Sequence, residues 1–250
     1  GYGFNFIDFN NSNTAIKSLG GGDITIDDAE EIELDGTIQT SGVFTFNASS
    51  KINSLEIGSG ADNDNNKLTF PISYFTDKLP DGFEQIVINT FDSINVTGTL
   101  EVNDPLFLDA GLTSISLGGD INTNNNNLIL RSTDTSTIGQ QLNLGTGNLE
   151  LRGNFNLTTE QRNYTGSTYI LAGTVSQTKN NSLPLSTALT MGSNSTLDLN
   201  NYNIQLGSLQ NTSSNQEIKM TGNLILLNNT SASYSGVING SGDIRIYDSE

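Results

Sequence analysis

The sequence has no histidine, no cysteine and no tryptophan, only four prolines, and ten basic residues in 250. Each shortage excludes something. Without His or Cys there is no Ser–His or Cys–His nucleophile and base, and no imidazole- or thiolate-ligated metal centre. Carboxylate chemistry is what remains. Without Cys the fold has no covalent staples, which a long β domain can do without, and nothing locks the chain early if it is exported unfolded. Ten Lys and Arg against 27 Asp and Glu leave a net charge of −17. The basic residues are scattered, so neither a nucleic acid nor an anionic membrane surface is a fitting partner. Divalent cations stay compatible. No apolar run approaches the length of a membrane span. The opening "GYGFNFIDFN" lacks the basic start and apolar core of a signal peptide. The expectation is therefore an interior piece of a longer protein, or a mature product.

Hydrophobic residues make up 34% of the chain and charged residues 15%, and the balance is Asn, Thr, Ser and Gly. Asn alone is roughly one residue in seven. These are poor helix formers and good turn residues, whereas a soluble helical bundle would be rich in Ala, Glu, Lys and Leu. An acidic disordered tail would carry more charge and fewer regularly placed aliphatics. An all-β chain with many turns follows.

The dominant signal is period two. "DITID" (Asp23 to Asp27), "GVFTFN" (Gly42 to Asn47), "SLEIG" (Ser54 to Gly58), "NLELRGNFNL" (Asn148 to Leu157) and "TLDLN" (Thr196 to Asn200) all alternate apolar and polar. The expected strands are about three to five residues, short even for strands. No window shows a convincing helical face, and Ile32 and Leu34 alternate with Glu33 as a strand would. Two phrases recur. One is Gly, Asp or Asn, then aliphatic, at Gly22, Gly119, Gly147, Gly222 and Gly242. The other is an alternating strand ending in Gly and a small residue, as in "LEIGS", "ISLGG", "LNLGT", "LTMGS" and "IQLGS".

Short strands, small polar corners and degenerate repetition describe a solenoid. The predicted fold is an all-β, right-handed parallel β-helix (β-solenoid) spanning residues 1–250 as one segment of a longer chain. At about 20 to 25 residues per coil it makes about 10–12 coils, a rod some 50 to 60 Å long at about 4.8 Å per coil. Inward residues form aliphatic stacks, and Gly and Asn take the corners because both tolerate left-handed φ. The competing fold is an antiparallel sandwich, which would use the "DG" at Asp35 and Asp81 and the "NG" at Asn239 as hairpin turns. One segment departs from the repeat. Lys67 to Phe91 concentrates Phe70, Tyr74, Phe75, Phe83 and Phe91 with Pro71 and Pro80. It reads as strand, an excursion near 71–83, then strand, with its aromatics expected to pack on the coil face rather than project as a binding loop.

The C-terminal phrases "NYTGSTYILAGTV" (Asn163 to Val175), "STLDLNNYNIQLGSL" (Ser195 to Leu209) and "YSGVINGSGDI" (Tyr234 to Ile244), in that order, resemble the autotransporter-associated β-strand repeat of bacterial passenger domains. That resemblance covers residues 163–249. Residues 1–162 look more loosely like filamentous-haemagglutinin-type exoproteins, through "LGGDINTNNNNLIL" (Leu117 to Leu130) and "LPDGFEQIVIN" (Leu79 to Asn89). Both resemblances imply export, a β-solenoid, and a place on the bacterial outer cell surface.

Candidate chemistry is confined to oxygen ligands and carboxyl groups. The densest acidic run is "DDAEEIELD", with Asp27, Asp28, Glu30, Glu31, Glu33 and Asp35. Its expected role is a solvated corner; a cation or sugar site is the functional alternative. In "SGADNDNNK", Asp62, Asp64 and Asn66 stand at alternate positions after Gly58 and Gly60, where hard oxygens could share one Ca²⁺. An EF-hand would next need Gly and Glu where Lys67 and Ser73 stand, so this is not one. No other cofactor and no catalytic residue is expected. Several Asn-x-Ser/Thr triplets, including those at Asn95, Asn156 and Asn194, are potential glycan acceptors. The expected function is a non-catalytic stem or fibre segment for projection and adhesion. Its expected partners are a host or neighbouring-cell surface, glycans or matrix, with its own copies, end to end, as a further candidate. The alternatives are a subunit of a self-assembling filament or sheet, and a β-helical polysaccharide lyase or hydrolase.

Overall fold

The structure, a computed structural model, describes residues 6–9, 14–18, 20–58, 67–160, 163–227 and 233–247. Every pairing between described strands is parallel. The chain is a β-solenoid of about ten turns. No described "DG" or "NG" is a hairpin turn: Asp35-Gly36 joins consecutive strands around a coil, and Asn239-Gly240 lies inside a strand. The sandwich alternative falls with that.

Each coil has up to three strands. A first sheet stacks Ile24–Ala29, Val43–Ala48, Gln85–Asn89, Leu106–Asp109, the starts of Leu128–Ile138, Leu149–Leu157 and Thr168–Gln177, then Ala188–Met191 and Ser208–Asn211. A second stacks Ser54–Gly58, Ser93–Val96, Ile115–Leu117, the ends of those three long strands, Ser195–Asp198, Glu217–Met220 and Val237–Gly240. The third is shorter and broken, including Leu100–Glu101, Ile121–Asn122 and Leu142–Asn143, and later Ile204–Leu206, Leu224–Leu226 and Ile244–Ile246. Apart from one interruption, partners one coil apart on the first sheet are separated by as few as 19 residues (Leu149 to Thr168) and as many as 22 (Leu106 to Leu128).

Alternation sets the core. Ile24, Phe44, Ile86, Leu106, Leu128 and Leu149 form one buried column, each in register with the next. Such columns stabilise by burying apolar area, at about 25 cal/mol per Å², and each one depends on the coil above and below.

The strands depart from the short lengths expected. Leu128–Ile138 has 11 residues, Leu149–Leu157 has 9 and Thr168–Gln177 has 10. In these coils the chain turns the corner between first and second sheets inside one strand, through register shifts rather than a loop. Gly153 stands at that bend, with φ of 132°.

The interruption lies between Phe44 and Ile86, which are in register but 42 residues apart. The extra length supplies Lys67–Pro71, a second-sheet strand added beside Ser54–Gly58, and a four-residue helix, Tyr74–Asp77, which alternation gave no sign of. The Lys78 carbonyl then accepts from the Ile38 N–H at 2.8 Å, continuing the third sheet. Phe70, Phe75 and Phe83 are buried. The Phe70 ring lies 5.2 Å from both Phe46 and Phe75, and the Tyr74 hydroxyl accepts from the Leu34 N–H at 3.0 Å. The excursion's aromatics therefore pack into the solenoid.

The Gly-Asp/Asn phrase has a physical meaning. Its side-chain oxygen accepts a backbone N–H from the next coil: Asp23 from Val43 at 2.8 Å, Asp120 from Gln141 at 2.9 Å, Asn148 from Ser167 at 2.8 Å and Asn223 from Asp243 at 3.1 Å. At Gly119, Gly147, Gly222 and Gly242 glycine precedes it because the chain crosses directly over the coil below. A Cβ on Gly147 would sit 2.0 Å from the Asn126 carbonyl oxygen. The phrase precedes the first sheet at Gly22 and Gly147 but the third at Gly119, Gly222 and Gly242. It marks a kind of corner rather than one position in the coil, which explains its irregular spacing.

Candidate functional site: a groove along one corner

The corner between the first and second sheets is looped in the four coils before Leu128 and continuous strand in the three that follow. The loops leave a groove of about 490 Å³, walled by Asp27 and Asp28, Asn47, Ala48 and Ser50, Asn89 to Phe91, Asp109 and Gly111, and Arg131. Its floor is one polar side chain per coil. Asn47, Asn89, Asp109 and Arg131 are in register. The Asn47 amide donates to the Asp27 carboxylate at 3.0 Å, and the Asn89 amide donates to Asn47 Oδ1 at 2.7 Å. A carboxamide carries both donor and acceptor, so identical residues relay along the axis. Asn89 Oδ1 is buried and receives no hydrogen bond.

Asp109 is only 4% exposed. Arg131 Nε donates to it at 2.8 Å, a second guanidinium nitrogen pairs with its other oxygen, and the Gly111 N–H donates at 3.0 Å. The Arg131 and Arg152 guanidinium groups both lie over the Phe107 ring, 5.8 and 5.6 Å from its centre. The lip is apolar. Phe91 is 59% exposed and Leu112 69%, and they stand on successive coils, the Leu112 N–H reaching the Phe91 carbonyl at 3.4 Å.

A second trough runs along the third sheet, where Asn122 donates to Glu101, Asn143 to Asn122, and Asn163 to Asn143. It has amides but no apolar lip.

The acidic run is divided by the fold. Asp27 and Asp28 reach the groove, Glu30 pairs with Lys51 of the next coil, and Glu33 and Asp35 are exposed while Ile32 and Leu34 point inward. Among the described residues no three His, Cys, Asp or Glu side chains converge as a metal site. Asp62, Asp64 and Asn66 lie outside the described residues. Asn89, Asp109 and Arg131 were not singled out from sequence, whereas Phe91 was expected to pack on the coil face with the other aromatics of its segment and instead stands exposed beyond the end of the excursion. Superposing the coils at their true register, "TFNAS", "VINTF", "FLDAG" and "ILRST", would have aligned them, but the 42-residue interruption hides that register.

Comparison with protein-family models, with curated proteins and with solved structures gives no match. Fold and site together define a parallel β-solenoid that carries a polar groove with an apolar lip on its flank.

Proposed function

We propose that the chain is a stem segment of an exported bacterial surface protein, working by projection and adhesion and not by catalysis. The observation that carries this reading is the run of inward columns through about ten coils, which builds a rod stiffened by repetition. The likeness of residues 163–249 to the autotransporter-associated repeat supports export to the outer surface, and membership of that family is part of the proposal. The adhesive surface is the flank, where the corner groove meets host or neighbouring-cell material. The non-catalytic reading is supported by Asp109, the most enclosed groove carboxylate. Both of its oxygens are taken by contacts within the protein, from Arg131 and the Gly111 N–H.

The test is surface labelling of intact source cells with antibody raised against the chain, with and without external protease. The expected result is labelling that protease removes. Signal only after lysis would overturn the proposal. Incubation with acidic and neutral polysaccharides should release no reducing ends and no unsaturated product.

A further inference from the structure

We infer that the corner groove is a carbohydrate site taking a neutral oligosaccharide laid along the solenoid axis. This deepens the adhesive part of the proposed function and rests on it. Four observations converge. First, Phe91 and Leu112 are large apolar side chains left exposed on successive coils of one corner. An exposed aromatic and aliphatic pair beside polar groups suits the C–H face of a sugar ring, which is apolar while its rim is not. Second, the groove mixes donors and acceptors: the half-buried Asn47 and Asn89 carboxamides, the outer face of the Arg131 guanidinium above the buried Asp109, and the exposed Asp27 and Asp28 carboxylates at one end. A sugar hydroxyl both gives and takes a hydrogen bond, and this floor offers both.

Third, the floor presents one polar group per coil, about 4.8 Å apart. A pyranose unit in an extended chain advances by a similar length, so each successive sugar meets the polar group of the next coil. Fourth, the charge selects against acidic glycans. Asp27 and Asp28 stand exposed at one end, Arg131 is engaged by Asp109, and the whole chain carries −17. Uronic, sulfated and sialylated chains are repelled. An extended peptide is the poorer occupant, because the groove is walled by side chains and offers no open strand edge for backbone pairing. Its volume suits a short oligosaccharide.

The experiment is isothermal calorimetry of the full chain against short neutral oligosaccharides of the cello, xylo, manno, malto and chito series. Oligogalacturonate and heparin fragments serve as acidic comparators. At least one neutral series should bind and the acidic ones should not. Phe91→Ala should weaken that binding by about ten-fold or more, the effect of removing one stacking ring. Asn143→Ala, in the trough on the other face, should leave it unchanged. Phe91 is exposed, so its variant should keep the parent circular dichroism spectrum and melting temperature. The inference is overturned if no neutral series gives heat at millimolar concentration, if Phe91→Ala binds as the parent does, or if only the acidic fragments bind. Cells labelled at their surface by a chain that binds no neutral sugar would sink the groove assignment and leave the stem. A chain that binds but never reaches the surface would do the reverse.

Discussion

Asp104 is 3% exposed. Its Oδ1 accepts the Gly82 N–H at 3.0 Å, which ties the end of the excursion to the next coil, while its Oδ2 has no partner. Burial raises its pKa above the ordinary 3.8; the Gly82 N–H pulls it back, and the Asp81 charge adds to the rise. The folded protein therefore prefers the neutral acid. With a folded pKa above the unfolded one, the favourable contribution is complete below 3.8 and is lost as pH rises through the raised value. Asp104→Asn keeps an acceptor for Gly82 and removes the charge. Relative to the parent it should stabilise by on the order of 1 kcal/mol at neutral pH, and by less near pH 3.5, where the parent carboxyl is mostly protonated. Paired thermal melts at the two pH values check this. Residue type alone does not reveal that a carboxylate will be covered by a segment arriving from the excursion.

Two glycines separate close approach from backbone strain. Gly147 has no room for a Cβ beneath the Asn126 carbonyl. Gly82 has φ of 125° but open space around it. Gly82→Ala should cost about 1–2 kcal/mol, the penalty of a left-handed residue. Gly147→Ala forces two coils apart and should cost more, as measured by denaturant midpoint.

At the level of elements, alternation was enough to name the inward set, because the side-chain period of a strand is two and only one face is buried. Ile24 and Ile26, Phe44 and Phe46, and Leu149 and Leu151 all point in as their spacing demanded. What alternation could not show was how a corner is made. Leu149–Leu157, read as one alternating stretch, turns a corner inside that stretch, since a bulge changes direction without changing the residue types on either side. Nor could it show the helix Tyr74–Asp77, which is too short to have a periodic face.

The corner ladders yield their own prediction. Asn203 Oδ1 accepts the Asn223 N–H at 2.8 Å, while its own N–H donates to Asn180 Oδ1 at 2.8 Å. Asp fills the same role at Asp23 and Asp120. Asn203→Asp should be nearly neutral and Asn203→Ala should cost about 1 kcal/mol. Equal effects on the melting temperature would mean that the side-chain oxygen is not what holds the corner.

For the whole molecule, a solenoid is nearly one-dimensional: each coil contacts its neighbours, and stability is close to a sum of coil and interface terms. Removing one complete coil should then shorten the rod and leave the fold intact. Residues 128–148 make such a coil, since Leu128 and Leu149 are register partners. After their excision Leu149 and Leu151 fall on Leu106 and Leu108, the former partners of Leu128 and Leu130. Arg152, in register with Arg131, falls on Asp109, so the buried carboxylate keeps a cation. Asn127, whose oxygen accepts the Asn148 N–H, comes into position for Ser167 in place of Asn148. The shortened chain should give an unchanged far-ultraviolet spectrum and a rod shorter by about 4.8 Å in small-angle scattering. Its melting temperature should fall by only a few degrees. Deleting residues 128–137 alone removes half a coil, breaks the first-sheet columns after Leu106 and Leu108, and should abolish cooperative unfolding. If the two deletions behave alike, coils are not the unit from which this molecule is built.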